Sequence, residues 1–483
     1  MKTLICIPCL MTGGTEIQTL NTVQALVQGG HEVMVACYFE HTPDMVDRYR
    51  KAGAEVILFS PEGVRVGGYK SILFLYRHLR RAIRAVRPDV VHVQYMAPGA
   101  TVILLLWLMG VKNIIATAHT AADIYRDLRL IHFLQRRCLR AFTCITERAE
   151  RSFFGSSQLY TADLVLGRRN HFTIYNSLPA QMRCNVDDNV DADARGASVA
   201  TAAGLSAQRS VACNPYENFC SQLTASSQLL TANRRMSEQE SSLLEFFQRA
   251  KRRKSLHRRI NSQEPFSHAD CTDYTDSCKS LRPCTSGVST EGQQLTAKSQ
   301  EPNTKLTLGV VSRLEPIKGM DLVVPAFAEV LKMYPATQLL VVGDGTLRAS
   351  MEEQAAQLAC ADHIRFVGRQ PQEELSQWYS QMDIVLMPSR SEGFGLTAIE
   401  AMAHGCVMVA SDVGGLPEVV RDGICGLLHR TEDVADMASK ISSLIGDPAL
   451  YTQLRAQSLV EVEKYSFERY AALMNDLYNK LGR

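Results

Sequence analysis

Two glutamates flank a glycine-containing loop in the last quarter of the chain. Glu392 and Glu400 lie eight positions apart in "SRSEGFGLTAIEAMAHG" (389–405). The apolar run "DIVLMPS" (383–389) before the loop predicts a buried strand, and a helical pattern begins near Thr397. Open α/β sheets bind ligands at the carboxyl ends of their strands. The spacing therefore predicts a ligand site that contains two carboxylates.

The glycines and the helix start of this loop favour an anionic ligand. Gly393 and Gly395 allow backbone N–H groups to approach a ligand closely. The N-terminus of the following helix adds positive potential, which suits a phosphate group. Glu400 lies in the first turn of that helix, so its side chain is directed toward the same site, where ribose hydroxyls would donate hydrogen bonds to it. The alternative is that Glu392 and Glu400 are surface charges at a helix start.

Two cations follow another predicted strand. Arg313 and Lys318 lie in "SRLEPIKGMD" (312–321), where a strand becomes a helix. On the carboxyl side of the sheet, two cations would neutralise a diphosphate. The turns "VVGDG" (341–345) and "FVGRQP" (366–371) end further strands at the same edge. This edge is therefore predicted to bind a phosphorylated ligand.

The first part of the chain offers a glycine turn and a histidine. "TGGTE" (12–16) leads from a strand to a helix through Gly13 and Gly14, without the G-x-G-x-x-G spacing of dinucleotide-binding turns. His119 closes the predicted strand "NIIATAHT" (113–120) on the ligand side. A lone histidine is more often structural, but at a strand end that faces a cleft a ligand role is an equal alternative.

Alternating strand and helix patterns position these residues. The strands predicted in the first part are 2–8, 31–38, 54–60, 89–95 and 113–120. Those predicted in the last part are 305–314, 336–344, 363–368, 383–389 and 406–412. Continuous apolar strands that alternate with helices are typical of parallel sheets covered on both faces. We predict an α/β protein with doubly wound domains at 1–179 and 304–483, whose last helix could pack back on the N-terminal domain.

The segment between these domains differs in composition. Residues 180–303 are rich in Ser and Thr and show no sustained apolar period. This composition predicts a disordered insertion, in which 241–260 is the one piece that could form a helix. It also separates two complete α/β patterns and interrupts neither.

Three motifs in the insertion resemble functional sites only weakly. "DAD" (191–193) imitates a metal-binding carboxylate pair but follows no strand. The cysteines Cys271, Cys278 and Cys284 lack the paired spacing of a zinc site. The basic run "KRRKSLHRR" (251–259) is interpreted as solvated linker charge, with nucleic acid or anionic lipid as the weaker alternative. We predict no metal site and no nucleic-acid partner.

The composition is that of a globular protein, with 46% apolar and 21% charged residues and a net charge of +2. The 14 cysteines are scattered, as free thiols are in a reducing compartment. "MKTLICIPCL" runs into "MTGGTE" before a signal-peptide core is complete. "TVILLLWLMG" (101–110) is about half as long as a membrane span and predicts a buried helix. We expect a cytoplasmic protein.

With these motifs the chain resembles the retaining glycosyltransferases of family 4, which have the GT-B fold of two facing Rossmann-like domains and an interdomain cleft. The resemblance covers roughly 1–179 and 304–483. It is most specific from Leu308 to Leu428, which includes "SDVGGLPEVVRDGICGLL" (411–428).

The resemblance implies roles for the donor-site residues. Glu392 and Glu400 correspond to the family's Glu-x7-Glu motif, in which Glu400 would hold the ribose and Glu392 would lie beside the transferred sugar. Arg313 and Lys318 match the family's diphosphate pair. The backbone amides expected beside the sugar hydroxyls and the diphosphate are those of Phe394, Gly395 and Leu396.

The resemblance extends to the first domain. Gly13 and Gly14 match the family's N-terminal glycine loop, and His119 matches its histidine near the sugar. The turn "YNSLP" (175–179) keeps Asn176 but lacks the glycine and the aspartate of the family's Asn-Gly-Val-Asp turn.

The implied activity is sugar transfer, with retention, from a UDP- or GDP-linked sugar to a glycan, lipid-linked or small-molecule hydroxyl acceptor in glycan or cell-surface polysaccharide biosynthesis. No metal or cofactor is expected, since Arg313, Lys318 and the helix start at Thr397 would stabilise the departing diphosphate. A front-face substitution is favoured, in which Glu392 positions the sugar. The alternatives are a sugar-nucleotide epimerase of similar architecture and a non-catalytic nucleotide-sugar-binding protein.

The stretch "YKSILFLYRHLRRAIRAVRP" (69–88) predicts a basic amphipathic helix. Its apolar stripe comprises Ile72, Tyr76, Leu79, Ile83 and Val86. The arginines around the rest are Arg77, Arg80, Arg81, Arg84 and Arg87. We favour a helix that covers the sheet; the alternative is peripheral contact with anionic lipid at the cytoplasmic membrane face.

Overall fold

Two parallel β-sheets organise the chain in the computed structural model, which describes residues 1–122, 125, 127–165, 169–180, 182 and 306–482. The first sheet has the strand order β3-β2-β1-β4-β5-β6-β7, and each neighbouring pair is parallel. Its strands are β1 (Lys2–Ile7), β2 (Glu32–Cys37), β3 (Glu55–Leu58), β4 (Val90–Gln94), β5 (Ile114–Ala118), β6 (Ala141–Cys144) and β7 (His171–Thr173). Its helices are α1 (Gly14–Gln28), α2 (Pro43–Lys51), α3 (Gly68–Val86), α4 (Met96–Leu108), α5 (Arg129–Arg137) and α6 (Glu147–Phe154).

The second sheet has the order β10-β9-β8-β11-β12-β13, again with parallel neighbours. Its strands are β8 (Thr307–Val311), β9 (Gln338–Val342), β10 (Ile364–Gly368), β11 (Ile384–Met387), β12 (Val407–Ser411) and β13 (Gly426–His429). The helices of this part are α7 (Val323–Met333), α8 (Arg348–Gln357), α9 (Leu375–Tyr379), α10 (Leu396–Ala403), α11 (Leu416–Val419), α12 (Val434–Gly446), α13 (Pro448–Val462) and α14 (Phe467–Leu481).

The predicted fold class is confirmed, because both halves are strand–helix alternations around a parallel sheet. All ten predicted strands form, and β1 shows why: only its first residue, Lys2, is exposed, and the rest of the strand is buried. The sequence did not predict β6, β7 or β13. Their sequences AFTC, HFT and GLLH lack the continuous apolar run that the equally short β3 and β11 show as EVIL and IVLM.

The last helix, α14, packs on the first sheet rather than the second. Tyr470, Met474 and Tyr478 belong to the same buried cluster as Ile5, Leu20 and other residues of the N-terminal part. The Tyr470 hydroxyl lies 2.7 Å from Oγ1 of Thr22 on α1. We refer to the first sheet with its helices and α14 as the first domain, and to the second sheet with α7 to α13 as the second domain.

Helix α3 buries only part of its predicted apolar stripe. Leu79 is fully buried, whereas Tyr76 is 36% exposed and its neighbour Leu73 is 50% exposed. Arg87 lies beyond the helix as its left-handed C-cap, with φ of 49°. In the described ranges no helix is both long and apolar enough to cross a membrane.

The predictions for the insertion lie outside the described residues, apart from its first residues Ala180 and Met182. This applies to the helix at 241–260 and to all three weak motifs. Eight cysteines fall in the described part, and none of these eight forms a disulfide. Seven of them are buried among apolar side chains, and Cys9 is half-buried.

Candidate functional site

The loop between β11 and α10 is shaped by glycine. Gly395 is the N-cap of α10 and has φ of 101°, a left-handed conformation that favours glycine. A Cβ atom on Gly395 would also lie 2.7 Å from Cδ2 of Leu416. The helix therefore begins at Leu396, one residue before the predicted start at Thr397, whose Oγ1 donates to the carbonyl oxygen of Val311 at 3.4 Å.

Lys318 and Glu392 form an ion pair at this edge of the second sheet. Nζ of Lys318 lies 2.7 Å from Oε2 of Glu392, and their side chains are 21% and 14% exposed. Lys318 ends the short 3-10 turn Pro316–Lys318 that follows β8, and Glu392 follows β11, the neighbouring strand. Adjacent parallel strands thus bring together two side chains that are 74 positions apart.

Gly319 allows these two loops to pack together. It has φ of 67°, and a Cβ atom there would lie 1.9 Å from the carbonyl oxygen of Pro388. The backbone N–H of Arg390 donates to the carbonyl oxygen of Ile317 at 3.0 Å. Arg390 also binds both carboxylate oxygens of Asp321 at 2.7 Å. The position of Lys318 relative to the 392–395 loop is therefore fixed by backbone and side-chain contacts.

Arg313 lies on the exposed surface just after β8. Its positive charge lies close enough to Glu16, in the first turn of α1, to act on that carboxylate. Burial raises the pKa of Glu16, and hydrogen bonds from Cys9 and Tyr95 together with the charge of Arg313 oppose that rise. The predicted diphosphate pair thus comprises Lys318, which is held in an ion pair, and Arg313, which is exposed.

Glu400 is buried and has different partners from Glu392. Its Oε2 accepts from the Tyr379 hydroxyl at 2.9 Å, and its Oε1 accepts from Nε2 of Gln372 at 3.1 Å. Burial raises the pKa of Glu400 to about 7, although both hydrogen bonds lower it. The two glutamates of the motif therefore act separately: Glu392 is a paired carboxylate, and Glu400 is a buried carboxyl that ionises near neutral pH.

The glycine turn of the first domain faces the second domain. A Cβ atom on Gly14 would lie 3.5 Å from Cδ1 of Leu396, an ordinary contact distance. On Gly13 it would meet Oε2 of Glu16 at 2.4 Å. Arg369, after β10, donates from Nη2 to Oγ1 of Thr12 at 3.3 Å. The turn thus lies directly opposite the start of α10.

His119 follows β5 and contacts the 392–395 loop. A Cβ atom on Gly393 would lie 2.4 Å from the carbonyl oxygen of His119, so only glycine allows this approach without movement. The His119 ring is buried, its Nε2 lies 2.8 Å from Oε1 of Gln94, and the Tyr95 ring centroid is 5.2 Å away. Burial lowers the pKa of His119 to about 3. Gly393 therefore brings the loop against the first domain, and the predicted approach of its backbone N–H to a ligand stays a prediction.

Phe394 anchors the same loop through its side chain. The ring is 2% exposed and packs against Tyr175 and Tyr465, with centroid distances of 6.2 and 5.5 Å. Tyr175 begins the turn "YNSLP", in which Asn176 is also buried. This packing fixes the backbone of the loop whose amides were predicted to face a ligand.

Glu418 makes a second link between the domains. It lies on α11, and its carboxylate accepts from the backbone N–H groups of Glu147, at 2.8 Å, and Arg148 at the start of α6. A carboxylate at a helix N-terminus satisfies donors that have no partner within the helix. Sequence reasoning missed Glu418, and it also missed Glu16 and Tyr379.

The structure brings Lys318, Glu392 and the 393–396 loop together with Gly14 and His119. Glu400 lies in α10, directly after this loop, but it makes no direct hydrogen bond to Lys318 or Glu392. Among the described residues, no group of three or more His, Cys, Asp or Glu side chains is arranged to hold a metal ion.

Two parallel-sheet domains whose strand ends face each other have the GT-B fold. HepE of Anabaena, solved in complex with UDP, has this fold with a TM-score of 0.62 and 14% identity, over 99% of this chain and 100% of that chain. Sucrose-phosphate synthase from Thermosynechococcus elongatus gives a TM-score of 0.60 at 17% identity, over 100% and 99% of the two chains.

Family models match both domains. The model "Glycosyltransferase Family 4" matches residues 12–159, and "Glycosyl transferases group 1" matches residues 293–459. The chain belongs to family 4 of the glycosyltransferases.

Curated relatives match about a third of the chain. The D-inositol 3-phosphate glycosyltransferase of Nocardia farcinica is 38% identical over 176 residues, which are 35% of this chain and 39% of that protein. The protein of the same description from Streptomyces bingchenggensis is 35% identical over 180 residues, with 35% and 40% coverage. The match thus spans about two fifths of the length of these relatives.

Proposed function

We propose that this protein transfers a sugar, with retention, from a nucleoside-diphosphate sugar to a hydroxyl acceptor. The observation that carries the proposal is the Lys318–Glu392 pair, which is fixed between two strand-end loops and lies on the loop that contacts His119. A cation for the diphosphate and a carboxylate for sugar hydroxyls are thus adjacent, as a sugar linked to a diphosphate requires.

The departing nucleoside diphosphate must be stabilised as its charge develops. Arg313 and Lys318 supply two positive charges, and the start of α10 adds backbone N–H groups and the positive end of a helix dipole. We propose that these groups act without a metal ion.

Retention is proposed to follow a front-face substitution. The bond from the anomeric carbon to the phosphate oxygen breaks while the acceptor oxygen bonds on the same face, and the acceptor proton passes to the departing phosphate. Glu392 is engaged with Lys318, so we assign it to sugar positioning rather than to nucleophilic attack. Glu400 is assigned to the ribose hydroxyls, which would share its carboxylate with the Tyr379 hydroxyl.

A UDP-linked hexose is the first donor to test, with a GDP-linked one second. HepE, which shares the fold, was solved with UDP and with UDP-glucose. The named relatives act on D-inositol 3-phosphate, which makes a phosphorylated polyol one acceptor to include beside glycans and lipid-linked sugars. A role in glycan or cell-surface polysaccharide biosynthesis at the cytoplasmic membrane face is part of the proposal.

Helix α3 supports the peripheral contact with membranes. Its exposed residues include Leu73 and Tyr76, and the exposed arginines beside them are Arg77, Arg80, Arg81 and Arg84. Exposed apolar side chains among cations suit an anionic lipid surface, where each cation adds about 1 kcal/mol of attraction.

A transfer assay distinguishes the proposal from its alternatives. The protein is incubated with UDP- and GDP-sugars and a panel of hydroxyl acceptors, and nucleotide release and product mass are measured. A transferase gives an acceptor that is heavier by one sugar residue, together with one nucleotide per product. An epimerase instead changes the sugar without needing an acceptor, and a binding protein gives neither product.

A further inference from the structure

A chain of buried polar side chains crosses the first domain behind His119. Strand β4 contributes His92 and Gln94, which are two positions apart and are 1% and 2% exposed. Strands of a covered parallel sheet are usually apolar throughout, and buried polar groups are costly unless every one is hydrogen-bonded. Two such residues in one central strand therefore require a specific role.

This series of hydrogen-bonded side chains begins at the last helix, α14. The Tyr478 hydroxyl lies 2.7 Å from Nδ1 of His92. On the other side of the ring, Nε2 of His92 lies 2.6 Å from Oγ1 of Thr117 and 3.4 Å from Nε2 of Gln94. The opposite end of the Gln94 amide, Oε1, lies 2.8 Å from Nε2 of His119. Tyr478 is thus connected to His119 through two β4 side chains.

The hydrogen-bond directions follow from the Gln94 amide. Its oxygen can only accept, so Nε2 of His119 carries the proton and Nδ1 of the neutral ring is an acceptor. Its NH2 group donates toward Nε2 of His92 at 3.4 Å, and in this arrangement the same nitrogen accepts from the Thr117 hydroxyl at 2.6 Å. His92 then carries its proton on Nδ1 and donates it to the Tyr478 oxygen. Each ring has one tautomer, and each tautomer depends on the next partner.

We propose that Gln94 is a positioning residue that holds His119 neutral with its proton on Nε2, so that Nδ1 accepts a hydrogen bond from a hydroxyl of the transferred sugar. Tyr478 and His92 keep the Gln94 amide in that orientation. The sugar contact rests on the proposed function, whereas the tautomer does not.

The surroundings of His119 favour the neutral ring. Burial lowers the pKa values of His119 and His92 to about 3. The other titratable group against the ring is Tyr95. The second domain packs on the backbone carbonyl of His119 through Gly393, which follows the Lys318-paired Glu392. In this arrangement no carboxylate hydrogen-bonds the His119 ring, which is why a change at Gln94 is informative.

The first test is nitrogen-15 NMR of the full chain labelled in histidine, with His119→Gln used to assign the signal. Wild type is expected to show His119 protonated on Nε2 and no titration between pH 5 and 9. In Gln94→Glu a carboxylate accepts from Nε2 and raises the pKa of His119 into that range. Because the protonated ring cannot accept through Nδ1, sugar transfer by Gln94→Glu should be retained at high pH and fall tenfold or more below the new pKa.

Tyr478→Phe tests the end of the hydrogen-bonded series that lies opposite His119, and Tyr470→Phe is its matched control. Both are buried hydroxyls on α14 that form a hydrogen bond to another element of the first domain. Tyr470 bonds Thr22, which is not part of the polar network through His92 and Gln94. Tyr478→Phe should populate the other His119 tautomer and lower kcat severalfold with KM for the donor little changed. Tyr470→Phe should change neither.

Three results overturn the proposal. They are wild-type His119 protonated on Nδ1, a folded Gln94→Glu variant in which His119 does not titrate, and equal effects of Tyr470→Phe and Tyr478→Phe on the tautomer. If wild type transfers no sugar, the proposed function fails while the NMR results still decide the role of Gln94.

Discussion

Nζ of Lys318 lies 2.7 Å from Oε2 of Glu392, so the cation expected to meet a diphosphate is already paired with a carboxylate. Both side chains are mostly buried, and their loops are fixed through Gly319 and Pro388. A diphosphate that approaches Lys318 therefore meets a cation whose charge Glu392 already offsets, and the carboxylate opposes its binding. When a nucleotide sugar binds and its diphosphate draws Lys318 away from Glu392, the freed carboxylate can accept hydrogen bonds from the sugar hydroxyls. A nucleotide without a sugar offers Glu392 no donors in place of Lys318.

Replacing the competing carboxylate should strengthen binding of the free nucleotide. Glu392→Gln is expected to bind UDP about five- to tenfold more tightly, since about 1 kcal/mol of ion-pair energy no longer opposes binding. Transfer should fall at the same time, because the sugar loses its ionised acceptor. Calorimetric titration of UDP measures the first effect. Glu329→Gln, which breaks an exposed pair with Lys332, is the control, and unchanged or weaker UDP binding by Glu392→Gln would contradict the competition.

Removing either cation should impair transfer and leave the fold intact. Lys318→Ala and Arg313→Ala are each expected to lower kcat/KM a hundredfold or more, about 3 kcal/mol of transition-state stabilisation. The melting temperature of Arg313→Ala should change little because Arg313 is exposed, whereas Lys318→Ala leaves the mostly buried Glu392 carboxylate unpaired and should melt at a somewhat lower temperature while still folding. Lys332→Ala, an exposed lysine of the same domain, should retain full activity. Turnover within twofold of wild type in both variants would exclude this site.

Glu400 should make stability depend on pH. Burial raises its folded-state pKa from 4.5 to about 7, so the acid form is favoured in the native protein. The stabilisation is complete below pH 4.5 and is lost as pH rises through 7, by about 3 kcal/mol in total. Denaturant unfolding at pH 5 and pH 8 should show wild type losing stability relative to Glu400→Gln over this interval. A pH-independent difference between the two proteins would show that Glu400 ionises normally.

Gly393 should not tolerate a side chain. A Cβ atom there would lie 2.4 Å from the carbonyl oxygen of His119, so Gly393→Ala must separate the loop from the first domain. We expect a tenfold or larger loss of kcat/KM with a lower melting temperature. Gly67→Ala is the matched control, because Gly67 has open space around it and a φ of −97°. Full activity in Gly393→Ala would mean that this contact is unimportant.

Binding to membranes is expected to depend on α3. The wild-type chain should sediment with vesicles that contain anionic lipid at low salt and dissociate as salt rises. A variant with Arg77, Arg80 and Arg84 changed to Gln should bind severalfold more weakly. A control with Arg348, Arg365 and Arg430 of the second domain changed to Gln, which loses the same charge, should bind like wild type. Absence of wild-type binding at low salt eliminates the peripheral contact.

Most of the fold could be predicted because its strands are long enough to show an apolar run. The edge at which Arg313, Lys318, Glu392 and Glu400 gather follows from the same pattern, since parallel strands end together. Each of these residues was predicted to follow the end of a strand, and this alone assigns it to the carboxyl edge of the sheet.

Pairings over long distances in sequence could not be predicted. A local sequence pattern contains no information about which distant residue a side chain contacts. It therefore could not predict the ion pair of Lys318 with Glu392 or the capping of α6 by the carboxylate of Glu418. The polar chain through His92 and Gln94 left one signal, the two polar residues inside the otherwise apolar "VVHVQ", and this stretch was interpreted only as a strand. The role of these two residues depends on the hydrogen bond between His92 and Tyr478, which are 386 positions apart in the sequence.

Calorimetric titration of UDP-glucose, with UDP-galactose and GDP-mannose as further donors, into the wild-type chain and Lys318→Ala in the presence of EDTA tests the nucleotide-sugar site most directly. We predict that wild type binds one of these donors at a single site without added metal, and that Lys318→Ala binds it at least tenfold more weakly. Equal affinity of the two proteins, or no binding of any UDP- or GDP-linked sugar by wild type, would contradict the assignment.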